Sequence, residues 1–222
     1  MARRVLIAVV AVAALMSGSA IAASTSTELV PVSVAVGGHD YGYWAAARWR
    51  WRVSLPAVVP GKTSCFSAHQ PGAVWFLGAS NVLPSAVPVA CRMPAGRYLV
   101  ITGPGGECST VEHPPFYAAT DAGLKRCALR WWHAHKGGES LTLDGAAISP
   151  AGYLVETSVF QFTMPAHNNY LHVPGRTHGR AVYYGAASIL RPLSPGTHTL
   201  VWVESYTHPN SFLKVTYELT VG

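Results

Sequence analysis

Alternation is the dominant pattern in the C-terminal half of the chain. In "FLKVTYELTV", Leu213, Val215, Tyr217, Leu219 and Val221 fall on one side and Lys214, Thr216, Glu218 and Thr220 on the other. That period of two is the pattern of a strand with one dry face. "SLTLDGAAI" reads as a strand entering an Asp144-Gly145 turn, the strongest short hairpin signal. "LVETSVFQFTM", "AVYYGAASIL" and "HTLVWVESY" are further β-rich runs, and "AVWFLG" and "RYLVIT" continue the pattern upstream. Together they predict a mainly β protein, an antiparallel two-sheet sandwich of jelly-roll-like type, with turns at Pro, Gly and Asn.

Two segments change to helical spacing. "DYGYWAAARWRWRVSLP" offers Asp40 as N-cap and Pro56 as stop, with Trp44, Ala47, Trp51 and Leu55 on one face. The alternation in "RWRWRV" also fits an edge strand. The alanine run, and the cost of a row of exposed tryptophans, favour the helix, with its arginines snorkelling outward. The same Arg/Trp pattern occurs in membrane-active peptides, but inside a domain it reads as an amphipathic helix. "TDAGLKRCALRWWHAH" begins at Thr120 or Asp121 and places Leu124, Cys127, Ala128 and Trp131 on one stripe. Gly137-Gly138 is its expected stop.

The end of that second helix, "WWHAHKGGE", raises the question of a metal site. On a helix, His133 and His135 point about 200° apart and cannot grip one ion. On a strand they would share a face, and H-x-H-x3-E matches the first metal motif of cupins. The remainder of that motif is missing, since Cys127 stands where cupins carry glycine and "PLSPGTH" lacks the second motif's spacing. No metal and no cofactor are expected.

The N-terminus changes the expected compartment. Arg3 and Arg4 precede the apolar run "VLIAVVAVAALM", and Ala20 and Ala22 then give the small-residue spacing of a cleaved secretory signal. The reading is a signal peptide at 1–22, a single β-rich domain at 23–222, and a secreted protein of the extracellular space or cell wall. No membrane span is expected in the mature chain. Loss of Arg3 and Arg4 lowers the formal charge from +6 to +4. The basic residues are scattered, so nucleic acid is not an expected partner. In an exported chain the four cysteines, Cys65, Cys91, Cys108 and Cys127, imply two disulfides. Three connectivities are open, and the expected one joins neighbours along the chain: Cys65–Cys91 and Cys108–Cys127.

No phosphate loop, nucleophile elbow or zincin motif occurs. "ITGPGGECS" is glycine-rich without the G-K-[ST] ending. It places Glu107 at a tight turn after "RYLVIT", which makes Glu107 the candidate acid/base or sugar-binding carboxylate. The polar stretch "MPAHNNYLHVPGRTHGR" carries His167 and His172 as candidate ligand contacts, with a plain connecting loop as the rival reading.

Larger pieces carry a resemblance. The Trp-rich helix ending in Ser-x-Pro is followed by "CFSAHQPGAVWFLG", "CRMPAGRYLV", "ECS", a D-G turn and "PLSPGTH". From about Trp44 to the end, the chain resembles a widespread family of secreted bacterial proteins to which no reaction is attached. The pattern falls on Cys65, Gln70, Gly72, Trp75, Cys91, Pro94, Gly96, Glu107, Cys108, Asp144, Pro195, Gly196 and His198. It departs at "VITGPGG" and "AVYYGAAS", where relatives carry Asn and Asp. The resemblance implies export, a β-rich fold and paired cysteines.

With seven tryptophans and ten tyrosines, stacking on sugar rings is available. The expected function is an extracellular ligand or surface-glycan binding module. Trp51, Trp75, Gln70, Arg48, His167 and His172 are the candidate contacts, and a carbohydrate or cell-envelope component is the partner. The alternatives are an extracellular polymer hydrolase or lyase using Glu107, and a structural envelope protein whose aromatics fill the core.

Overall fold

The C-terminal alternation is a 12-residue strand, and its dry face is the centre of one of two sheets. The computed structural model describes residues 29–57, 65–78, 87–207 and 210–222; the expected leader at 1–22 lies outside them. The first sheet is built on β3 (Tyr98–Ser109) and β8 (His178–Leu190). β1 (Val74–Phe76) pairs with β3, and both β6 (Tyr153–Glu156) and β7 (Phe160–Thr163) pair with β8. The second sheet runs β2 (Val89–Met93), β10 (Asn210–Val221), β9 (Gly196–Thr207), β4 (Gly137–Leu143) and β5 (Ala146–Ile148). The core pairings are antiparallel, as expected of a sandwich with two short helices. The edge strands β1 and β2 instead pair parallel to β3 and β10.

The sheets bury their facing sides against each other. Leu99, Ile101 and Leu190 of the first meet Leu141, Leu200, Trp202, Val215, Tyr217 and Leu219 of the second in one apolar cluster. The opposite side of the first sheet is covered by α1 (Tyr41–Ser54), which packs Trp44, Trp51 and Val53 on Phe76, Val100, Tyr183 and Ile189. Asp40 caps that helix by accepting from the Tyr43 N–H, satisfying one orphan donor of its first turn. The second helix, α2 (Asp121–His135), is capped by Thr120 and buries Leu124, Cys127 and Ala128 against Cys108 and Val182. Val182 alternates onto the same side of β8 as Leu190, so α2 continues the layer of the second sheet.

Two local expectations are corrected. "ITGPGGECS" holds no tight turn: it is the second half of β3, with a β-bulge between Thr102 and Gly105. Its glycines serve close approach. A Cβ at Gly105 would lie 2.5 Å from the Tyr183 ring, and one at Gly106 2.8 Å from the Ala128 carbonyl of α2. Gly137-Gly138 does not stop α2 either. Lys136 takes the positive φ of the C-cap and Gly137 opens β4. A Cβ on Gly137 would sit 2.3 Å from the Pro104 Cβ, so only glycine lets β4 pass there.

Asp144-Gly145 does form the β4–β5 hairpin, both residues at positive φ, as a type I′ turn requires. Asp144 also accepts from the Thr199 N–H and faces His198 Nδ1, each at 2.7 Å. Burial raises its carboxyl, but His198 and the Thr199 N–H together bring it below the ordinary value. The other His198 nitrogen lies 2.9 Å from the Ser194 carbonyl and 3.3 Å from Ser194 Oγ. Both ring nitrogens therefore face turn acceptors, and this Ser, His and Asp grouping is a clasp between two loops.

Both disulfides join neighbours in the chain, Cys65–Cys91 and Cys108–Cys127. The first ties the segment ahead of β1 to β2, the strand before Pro94, and so links the two sheets. The second fastens α2 to β3. Their separations are 26 and 19 residues, for which loss of unfolded-chain entropy contributes about 3 kcal/mol each. Non-reducing peptide maps should yield these two cross-linked peptides, and Cys→Ala pairs should each lower stability by about that amount. A Cys65–Cys108 or Cys65–Cys127 peptide would refute the arrangement.

Candidate ligand-binding cleft

β1 is only three residues long, and its register with β3 covers Tyr98, Leu99 and Val100. Among the described residues no strand pairs with that edge of β3 from Thr102 to Cys108, and a cleft of about 390 Å³ opens over it. One wall comes from α1: Arg48, Trp49 and Arg52. The other comes from Trp202, Glu204 and Tyr206 of β9, Leu213 and Tyr217 of β10, and Trp131 of α2. Thr102, Gly103 and Gly105 form the floor, and Tyr170 closes one end. The volume lies in the range of sites that enclose small molecules.

The cations of the cleft are held without acids. Arg52 is 5% exposed. Its guanidinium lies 4.0 Å from the centre of the Tyr170 ring and 4.9 Å from that of Phe66, and it donates to the Pro56 carbonyl at 3.1 Å. Burial lowers its pKa to about 10, so it stays charged at neutral pH. Arg48 donates to the Leu77 carbonyl at 3.3 Å, while its Nε–H and the Trp49 indole N–H have no acceptor. Among the described residues, neither arginine has a carboxylate within 4.0 Å.

Burial works against the charge of the acids. Glu204, 8% exposed, accepts from the Tyr206 hydroxyl. Burial raises its pKa, with Tyr206 and Arg48 pulling the other way. Glu139 stands directly across from Glu204 in the β4–β9 register, beside the lining residues and not among them. It accepts from the Trp202 indole N–H at 2.8 Å and from Ser188 Oγ at 3.3 Å. A Cβ on Gly103 would lie 2.6 Å from its carboxyl. Burial raises Glu139 to about 7, against the two hydrogen bonds, with a further push from Glu204.

Of the residues expected at a site, Arg48 lines the cleft and the others lie elsewhere. Trp51 is core, its indole N–H donating to the Ala68 carbonyl at 2.8 Å. Trp75 is buried between the sheets. Gln70 accepts from the Phe76 N–H and donates to the Phe66 and Phe76 carbonyls, pinning its loop to β1. His167 and His172 are exposed on their loop, apart from the cleft, although Tyr170 between them reaches it. His133 is exposed at the end of α2, and His135 stacks on Trp131. The two stretches that depart from the resembled pattern, "VITGPGG" and "AVYYGAAS", pair with each other as Gly105 with Gly185.

Glu107, the candidate acid, lies away from the cleft. It belongs to the body of β3, opposite Tyr183 on the α1 side of the sheet, 8% exposed and outside the cleft. Burial and the neighbouring Glu112 push it well above the carboxylate range, and it donates its proton to Glu112. It is a neutral buried acid with one oxygen unpartnered. Glu204 and Glu139 were both visible as acids, but only strand register shows that they face each other.

Comparison with protein-family models, curated proteins and solved structures finds no match for this chain.

Two expectations follow from the buried acids. Glu107→Gln preserves the size and donor capacity of the protonated acid. It should cost no more than about 1.5 kcal/mol at pH 4, as for volume-conserving swaps, and should exceed the parent in stability at pH 8. For Glu139, the native state holds a proton that the unfolded chain releases above about pH 4.3. Its contribution is present below that pH and is lost as pH climbs through 7, by about 3 kcal/mol. Urea denaturation between pH 4 and 8 should show this slope, flattened in Glu139→Gln; a variant with the parent's slope counts against the assignment.

Proposed function

We propose that the protein is a secreted binding module whose cleft receives one or two sugar units of an extracellular or cell-envelope glycan. The observation that carries this reading is the convergence of Trp49, Trp131, Tyr170, Trp202 and Tyr206 on a sugar-sized cleft. Aromatic faces of this kind stack on the apolar faces of pyranose rings. The polar groups among them, Arg48, Glu204 and the open edge of β3 at Gly103 and Gly105, supply donors and acceptors for hydroxyl groups. Export is supported by the leader-like N-terminus and by two disulfides with no free cysteine among the described residues. No described helix is long and apolar enough to cross a membrane.

A catalytic reading has no footing at Glu107, which lies outside the cleft. The acid available there is Glu204, and turnover would appear as new reducing ends or unsaturated products from a polysaccharide panel. Binding is tested by tryptophan fluorescence and calorimetry with short oligosaccharides. Trp131→Ala should weaken binding at least tenfold, the loss of about one stacked aromatic, whereas His133→Ala on the exposed face of α2 should leave it unchanged. Equal affinity in parent and Trp131→Ala would remove the cleft as the site.

A further inference from the structure

The charge of the cleft says more about its ligand than the aromatics do. Two guanidiniums, Arg48 and Arg52, contribute to one wall, and neither is ion-paired among the described residues. A guanidinium has five N–H donors. Among the described residues, the hydrogen bond that Arg48 makes is the one to the Leu77 carbonyl. Burying such a charge is costly unless an opposite charge or several acceptors compensate it. Arg52 obtains part of this from the rings of Tyr170 and Phe66. Arg48 has no comparable partner, and the acid nearest in the cleft, Glu204, is already bonded by Tyr206.

The sign of the imbalance does not depend on the state of that acid. With Glu204 ionised, two positive charges still face one negative charge across the opening. Glu139 is not among the lining residues and is engaged by the Trp202 indole N–H and Ser188 Oγ. The unspent group in the cleft is therefore a planar cation with free donors, the group best matched to a carboxylate's two oxygens.

Resting on the glycan-binding reading above, we propose that the ligand is an acidic sugar, a uronic-acid unit whose carboxylate pairs with Arg48 while its ring lies against the aromatic wall. Arg52 adds a second positive charge to the field without leaving its place on Tyr170. The ligand completes a compensation that the protein leaves open.

The test is calorimetric titration of the mature, disulfide-bonded chain with matched disaccharides: hexuronic acid, the corresponding neutral hexose, and the hexose 6-sulfate and 6-phosphate. The uronic acid should bind at least tenfold more tightly than the neutral sugar. Arg48→Gln should reduce that ratio below threefold, and Arg48→Lys, which keeps the charge but loses the planar fork, should fall between. Should the Arg48 variants fail to fold, the parent decides alone, because affinity for the uronic acid must then fall several-fold between 20 and 500 mM salt while that for the neutral sugar holds. Equal affinity for acidic and neutral sugars overturns the carboxylate and leaves glycan binding standing. Preference for sulfate or phosphate overturns the uronic acid. No binding of any sugar overturns both readings.

Discussion

The whole arrangement depends on how closely other parts of the chain can approach the second half of β3. Three different elements crowd onto four residues. The Ala128 carbonyl and Trp131 of α2 lie where a side chain on Gly106 would go, and Glu139 lies where one on Gly103 would go. The Tyr183 ring fills the same space beside Gly105, and β4 crosses Pro104 at Gly137. A Cβ at Gly105 or Gly106 would force backbone or rigid rings apart, and one at Gly103 would displace the Glu139 carboxyl. The bulge between Thr102 and Gly105 bends the strand where these approaches meet. The same stretch forms the floor of the cleft, so the closeness that joins α2 and the two sheets also leaves bare backbone facing the opening.

That dependence explains which parts of the fold were legible in the sequence. Local signals that act within one element were readable: Asp40 and Thr120 as caps, the alternation of β10, and the Asp144-Gly145 turn. In each, the residue's own neighbours in the chain supply the reason for its type. The disulfide pairing matched the sequence expectation as well, though spacing alone had left three choices. The glycines of "ITGPGGECS" were misread because glycine has two uses that look alike in sequence, to permit a turn and to permit contact. Distinguishing them requires knowing what lies alongside, which is tertiary information. Gly137 was misread for the same reason.

The cleft was harder still, because its lining comes from α1, β3, α2, a loop, β9 and β10, spread from Arg48 to Tyr217 along the chain. Trp51 and Trp75 stood out as aromatic residues, yet both went into the core, where large apolar area is best removed from water. Their less conspicuous neighbours Trp49 and Trp131 reached the opening. A helix places residues two positions apart on nearly opposite sides, so Trp49 and Trp51 cannot share an environment. Arg48 follows the cleft side of α1, which is why it alone among the expected contacts lines the site. His167 and His172 of the 164–177 loop are exposed outside the cleft, and the loop's contribution is Tyr170.

Acids and arginines divide the interior in a way that no single pair explains. Glu107 and Glu204 are buried, Glu139 is half-buried, and all three are raised, while the two cleft arginines have no acid within ion-pair distance among the described residues. Had the purpose been stability alone, turning Glu204 from Tyr206 to Arg48 would have neutralised both charges in one contact, with charge-assisted hydrogen bonds in place of a neutral one. Instead the two acids nearest the cleft are bonded by neutral donors: Glu204 by the Tyr206 hydroxyl, and Glu139 by the Trp202 indole N–H and the Ser188 hydroxyl. Neutral donors stabilise a carboxylate less than a cation does, which is consistent with these acids being raised by burial. The consequence is a wall of fixed positive charge opposite acids that are partly neutral, a field that is directed outward into the opening and not consumed inside the protein. A cleft built this way favours anions at its mouth before any specific contact is made, because an approaching anion finds charge that the protein has not already cancelled.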